Sequence, residues 1–241
     1  NNVSIRGNGN ATILKRMWDS SSSQGVITLT SVQGCRIENL QIDGNKAIYT
    51  ADYNYGIFLY LSTNNTITSI TCNNNNSDGI ILSSSSNNNT VTGNTCNNNF
   101  HAIRLSASSN NTVIGNTCNN NNNGIRLYSS SNNIVTSNIC NNNSSRGISL
   151  SSSSNNNTVT GNTCIRGTGT PEDYTTYQHT IILADTDNNY NLITSNNCMG
   201  KAVVVTGGTG NTVFNNKWDA SNDVTPGQIG AETPAGAQTK A

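Results

Sequence analysis

Side chains able to do chemistry are scarce here. Only 10% of the 241 residues are charged and 5% aromatic, so their clustering is informative. Two segments are densest in them. Between Ile42 and Ile57 lie Asp43, Lys46, Tyr49, Asp52, Tyr53 and Tyr55. Between Cys164 and Ile181 lie Arg166, Glu172, Asp173, Tyr174, Tyr177 and His179. His101, Arg104 and Arg126 stand between the two segments. Aromatic rings beside guanidiniums and carboxylates suit a saccharide, whose rings stack and whose hydroxyls and acid groups take hydrogen bonds. Tyr53, Tyr55, His101, Arg104, Arg126, Tyr174, Tyr177 and His179 are therefore the candidate binding residues. A glycosidase needs two carboxylates across one bond, and a lyase needs a base beside a charge-neutralising group. Glu172 and Asp173 are the candidate carboxylates, with Asp185 and Asp187 as the alternative pair.

Other chemistries have less to stand on. Twelve basic residues balance twelve acidic ones, so no net charge draws the chain to nucleic acid or an anionic membrane. No apolar run approaches the roughly 20 residues that cross a bilayer. The chain has two His and two Met, and no metal or cofactor motif is expected. Seven Cys would suggest a disulfide framework in a secreted protein, but their spacing gives another reading.

That spacing belongs to a repeat. Asn-Thr-Val-Thr-Gly-Asn-Thr-Cys occurs at 89–96 and again at 157–164, with variants at 111–118 and 133–140. Ahead of each runs an apolar pair: Ile80/Leu82, Ile103/Leu105, Ile125/Leu127 and Ile148/Leu150. Coils of 22–24 residues suit a solenoid, not a heptad. Extended to both ends, the first column reads Val3/Ile5, Ile27/Leu29, Ile57/Leu59, then the four pairs above, Ile181/Leu183 and Val203/Val205. A second column reads Ile13, Ile37, Ile67, Val91, Val113, Val135, Val159, Ile193 and Val213. Five residues after each comes a third: Trp18, Ile42, Cys72, Cys96, Cys118, Cys140, Cys164, Cys198 and Trp218. Alternation turns each pair to one face. Stacking about nine coils at about 4.8 Å then buries the columns, predicting an all-β, right-handed parallel β-helix solenoid roughly 40 Å long.

The same columns assign other residues. Six Cys lie in one inward column and act as small buried hydrophobes. Cys35 falls instead in a column of Asn65, Asn89, Asn111, Asn133, Asn157, Asn191 and Asn211, expected at left-handed corners and able to stack as an amide ladder. Trp18 and Trp218 are expected to plug the two ends or to stack end to end with another copy. Residues 1–219 form the solenoid, and 220–241, rich in Ala, Gly, Thr and Pro, form a tail or cap.

The run Gly-Ile-Ile-Leu-Ser-Ser-Ser-Ser-Asn-Asn-Asn-Thr-Val-Thr-Gly-Asn-Thr-Cys-Asn-Asn-Asn at 79–99 resembles the repeats of NosD-like β-helix proteins of bacterial and archaeal envelopes. The resemblance implies an extracytoplasmic location (secreted, cell surface or periplasmic). It also brings copper delivery into view, though no His or Met cluster carries it here. The expected function is a non-enzymatic structural or surface protein, self-associating as a filament, sheath or lattice, or contacting glycans. The alternative is a polysaccharide lyase or glycosidase working on the 165–180 face, and the weaker alternative is periplasmic copper handling.

Overall fold

A computed structural model describes residues 1–165, 179–199 and 203–218. The tail 220–241 and the loop bearing Glu172, Asp173, Tyr174 and Tyr177 lie outside them. The described chain winds as a parallel β-helix. A ten-stranded sheet, sheet A, contains nine successive rungs from Ser4–Arg6 to Thr212–Phe214, with Ile13–Lys15 paired alongside. An eight-stranded sheet, sheet B, runs from Gln24–Thr30 to Val204–Val205. Strand pairings are parallel and in register, so Ile57, Ile80, Ile103, Ile125, Ile148 and Ile181 stack as one file. Ile67, Val91, Val113, Val135, Val159, Ile193 and Val213 make the second. These side chains are wholly buried.

The Cys column forms the third inner wall. Ile42 pairs with Cys72, single bridges link the rungs from Thr71 to Asn197, and Cys198 pairs with Trp218. All seven cysteines are buried, and none is in a disulfide. Burial raises the Cys118 and Cys164 thiols well above their ordinary range.

The first coil departs from the sequence-based columns. Ile5 pairs with Ile37 and so belongs to sheet A, not beside Ile27. Ile13 pairs with Gln41 and points outward, 57% exposed, while Leu14 takes the inward place beside Ile42. Trp18 lies outside the third column, 37% exposed, its ring over the Arg16 guanidinium at 4.8 Å. A short 3-10 turn, Gly9–Ala11, precedes Ile13. It resets the two-residue phase, and a slip of one residue turns every side chain to the other face.

The corners are built alike. A left-handed residue turns the chain: Asn64, Asn88, Asn110, Asn132 and Asn156 at one corner, Asn74, Asn98 and Asn120 at another. The residue after it points inward and hydrogen bonds along the rod. The ladder Asn and the left-handed Asn are thus neighbours, not the same residue as the sequence suggested. At the first corner, each backbone N–H from Cys35 to Asn191 donates to the Asn Oδ1 one rung on, at 2.8–2.9 Å. A second ladder runs Asn94–Asn116–Asn138–Asn162–Asn196–Asn216, a third Asn75–Asn99–Asn121–Asn143. A fourth uses the hydroxyls of Ser62, Ser86, Ser108, Ser130 and Ser154.

Two predictions follow from this interior. Asn138→Ala strips the acceptor from the Asn116 N–H and the donor from the Val113 carbonyl. Each orphaned buried group costs about 1–3 kcal/mol. Denaturant unfolding should show a loss of about 2–5 kcal/mol on that basis, whereas Asn142→Gly, at an exposed left-handed position that glycine adopts without strain, should stay within about 1 kcal/mol. In thiol labelling at about pH 8, the folded protein should yield fewer than one reactive thiol, and unfolding in denaturant should release all seven.

Candidate functional site

Outside the core, the outer face of sheet B carries a second apolar cluster, Tyr55, Phe58 and Ile81. Loops cover it. Asp19 Oδ1 accepts from the Ala51 N–H at 3.1 Å and from Asn54 Nδ2 at 2.8 Å. Arg16 Nη2 donates to the Tyr55 carbonyl at 2.7 Å. Asn76 Nδ2 donates to the Thr50 and Ala51 carbonyls, holding the 44–53 loop against the next rung. A cleft of about 380 Å³ opens beside this loop, between Tyr53 and Tyr55 on one side and Phe100, His101, Arg104 and Arg126 on the other.

The register of sheet B brings these groups together. Two residues ahead of each first-column Ile stand Tyr55, Asp78, His101, Asn123, Arg146 and His179. His101, Asn123, Arg146 and His179 are paired in that order along the sheet. One position into the strands, Ile81, Arg104, Arg126 and Ser149 form a second outward file. Two arginines are therefore held on adjacent rungs.

Asp78 is the group beneath them. It is fully buried, and its Oδ1 lies 2.5 Å from His101 Nδ1. Its Oδ2 lies 3.7 Å from Arg104 Nη1. That contact fixes the tautomer: Nδ1 carries a proton toward the carboxylate. The other ring nitrogen, Nε2, sits 3.4 Å from Arg126 Nη1. Phe100 packs its ring edge-on to His101 at 4.6 Å. Both guanidiniums lie by Tyr128, Arg104 at 5.8 Å and Arg126 at 5.3 Å from its ring.

The electrostatics are one-sided. Arg104, Arg126 and Arg146 cluster against Asp78 below and exposed Asp52 on the rim. Partial burial, and then repulsion from Arg104 and Arg146, lower the pKa of Arg126. The Nε atoms of all three arginines are buried with no hydrogen-bond partner. An anion placed over the guanidiniums would offset their mutual repulsion. Burial raises the Tyr55 phenol, which stays a proton donor at neutral pH.

Of the sequence candidates, Tyr53, Tyr55, His101, Arg104 and Arg126 converge on the cleft. His179 is in the His101 file but three rungs away. Asp185 and Asp187 are used elsewhere: Asp185 accepts from the Ser152 N–H at 2.7 Å, and Asp187 from the Ser153 hydroxyl at 2.6 Å. Glu172, Asp173, Tyr174 and Tyr177 lie outside the described residues. Asp78 escaped sequence reasoning because Ser-Asp-Gly reads as a turn, although its file with His101 was readable. Among the described residues, no three His, Cys, Asp or Glu side chains are grouped to hold a metal ion. No helix there is long and apolar enough to cross a membrane.

No curated protein matches the chain. Solved structures do, at identities that speak only for fold. The periplasmic alginate epimerase AlgG matches with a TM-score of 0.53 and 18% identity over 80% of this chain. The chain spans about half of that protein (50%). The A-module of the mannuronan C-5 epimerase AlgE4 from Azotobacter vinelandii matches at 0.60 and 12%, over 90% of this chain and 75% of its own. DFA-IIIase from Arthrobacter chlorophenolicus A6 matches at 0.64 and 14%, over 86% of this chain and 51% of its own. The family model for the right-handed beta helix region matches residues 1–218. Stacked parallel rungs, two in-register sheets and that match agree: the chain belongs to the right-handed β-helix family.

Proposed function

We propose that this protein is a carbohydrate-active β-helix that binds an acidic polysaccharide on the outer face of sheet B and abstracts a proton next to its carboxylate. The observation that carries the reading is the buried Asp78–His101 pair directly beneath Arg104 and Arg126. The arginines pair with a sugar carboxylate and stabilise the negative charge that develops when its α-proton leaves. Drawing Arg126 onto that carboxylate uncovers His101 Nε2, the base, whose imidazolium Asp78 then balances. Tyr55 and Tyr53 stand on the opposite wall, where a phenol can return a proton or protonate a leaving oxygen. Alginate, the substrate named for AlgG, is an acidic polysaccharide, which supports this substrate class. An extracytoplasmic setting follows from such a substrate and accords with the periplasmic location named for that epimerase.

A second reading is a non-enzymatic surface rod. Particles that stay monomeric at all concentrations in negative-stain images would sink it. Copper handling, which the NosD-like resemblance implies, finds no grouped donor set among the described residues.

Binding to polymannuronate, polygalacturonate and a neutral glucan tests the main proposal. Acidic chains should bind and the neutral one should not. Arg126→Ala should weaken binding about ten- to a hundredfold, as loss of a charge-assisted contact does. His101→Gln should keep binding but abolish both solvent-deuterium uptake into the polymer and formation of unsaturated ends. Equal binding of neutral and acidic chains overturns the proposal. Binding without any turnover by the wild type leaves a glycan-contacting surface protein.

A further inference from the structure

Next to the His101 cleft lies a second one, of about 520 Å³, lined by Lys46, Ala47, Asn76, Asn99, Phe100 and Asn122. Both fall within the 300–1,000 Å³ usual for small-molecule sites. They share Asn76 and Phe100, so they form one groove crossed by a ridge. The ridge is Phe100, whose ring is 49% exposed although it packs edge-on against His101. A half-exposed aromatic ring standing between two hollows is the arrangement on which a sugar ring stacks.

The far hollow has its own charge. Lys46 is its only titratable lining residue and has no ion pair among the described residues. Its Nζ donates to the Asn98 carbonyl, which fixes the ammonium at the hollow's edge. Asn76 and Asn122 line the walls, and the Asn76 amide ties the 44–53 loop to the rung below Phe100. Cation and ring thus repeat, in the second hollow, the charge and stacking of the first.

We infer that Lys46 and Phe100 form a second subsite for an acidic oligosaccharide, which crosses the Phe100 ridge and places a further carboxylate on Lys46. This inference rests on the acidic-glycan reading of the His101 cleft and extends it. The ligand is then read as a chain, and the 44–53 loop, the largest described interruption of the repeat, exists to build the far subsite.

Calorimetric titration with oligomannuronates from dimer to hexamer tests the inference. Wild-type affinity should rise with length. Lys46→Ala should cancel that rise, losing about tenfold for the longer chains, as one charge-assisted contact is worth, and nothing for the dimer; Phe100→Ala should cancel it too and also weaken the dimer, because Phe100 lines the first cleft as well. Lys46→Arg and Phe100→Trp should retain it, and thermal melts of all four variants should match wild type. If Lys46→Ala and Phe100→Ala bind every length like wild type while Arg126→Ala does not, the second subsite is wrong and the first stands. If wild type binds no length at all, both fall.

Discussion

Everything in this molecule hangs on how a backbone N–H is satisfied at a corner. A chain that must turn several times per coil cannot keep its strand pairing through each turn. The left-handed residue that makes the bend is followed by a buried N–H whose strand partner is displaced. Here a side-chain oxygen one rung away takes that proton. Its amide nitrogen goes in turn to a backbone carbonyl below: Asn116 Nδ2 reaches Val91 O at 3.0 Å and Asn138 Nδ2 reaches Val113 O at 3.0 Å. Asn is the residue that offers both an acceptor and a donor on so short a stem. The 47 Asn of the chain are therefore in large part a structural alphabet for corners. With the corners satisfied internally, a thin core of Ile, Val, Leu and Cys is enough.

The same arrangement explains where chemistry is possible. Inward positions are committed to packing and ladders, so reactive groups must sit on the outer faces or in the loops. On sheet B, register does the positioning. Residues 23 positions apart in sequence, such as Asp78 and His101, become neighbours because each stands two places before an in-register Ile. No loop has to be ordered to bring His101 to Asp78. Only the covering wall, with Tyr53 and Asp52, comes from an interruption of the repeat.

Much of this was legible in the sequence. From Ile27 onward the columns are those of the structure, because period-two alternation and a fixed five-residue step leave little freedom. The first coil was misread where the 3-10 turn before Ile13 shifted the phase: Gly7-Asn8-Gly9-Asn10 marks a turn, but residue types do not show how many residues it takes out of the alternation. Three of the four corner ladders were unread because Asn and Ser in runs look like loop composition. The candidate cleft was half legible: Tyr53, Tyr55, His101, Arg104, Arg126 and the segment holding Lys46 stood out by rarity, while Asp78 hid in a turn-like tripeptide and Phe100 in a corner.

The near-identity of the middle coils raises a problem of address. Between residues 79 and 164 one rung would accept the neighbour meant for another, since each presents the same Ile, Val, Asn and Cys files. A chain skipping a coil during folding would meet little penalty from its core. The early coils are different. Leu40 and Ile70 occupy the file that Asn holds later, and the Asp19–Asn54 and Arg16–Tyr55 bonds join parts found once in the described chain. They give the winding a unique landmark from which rungs can be counted, so the non-repeating coils serve as the fold's reference mark.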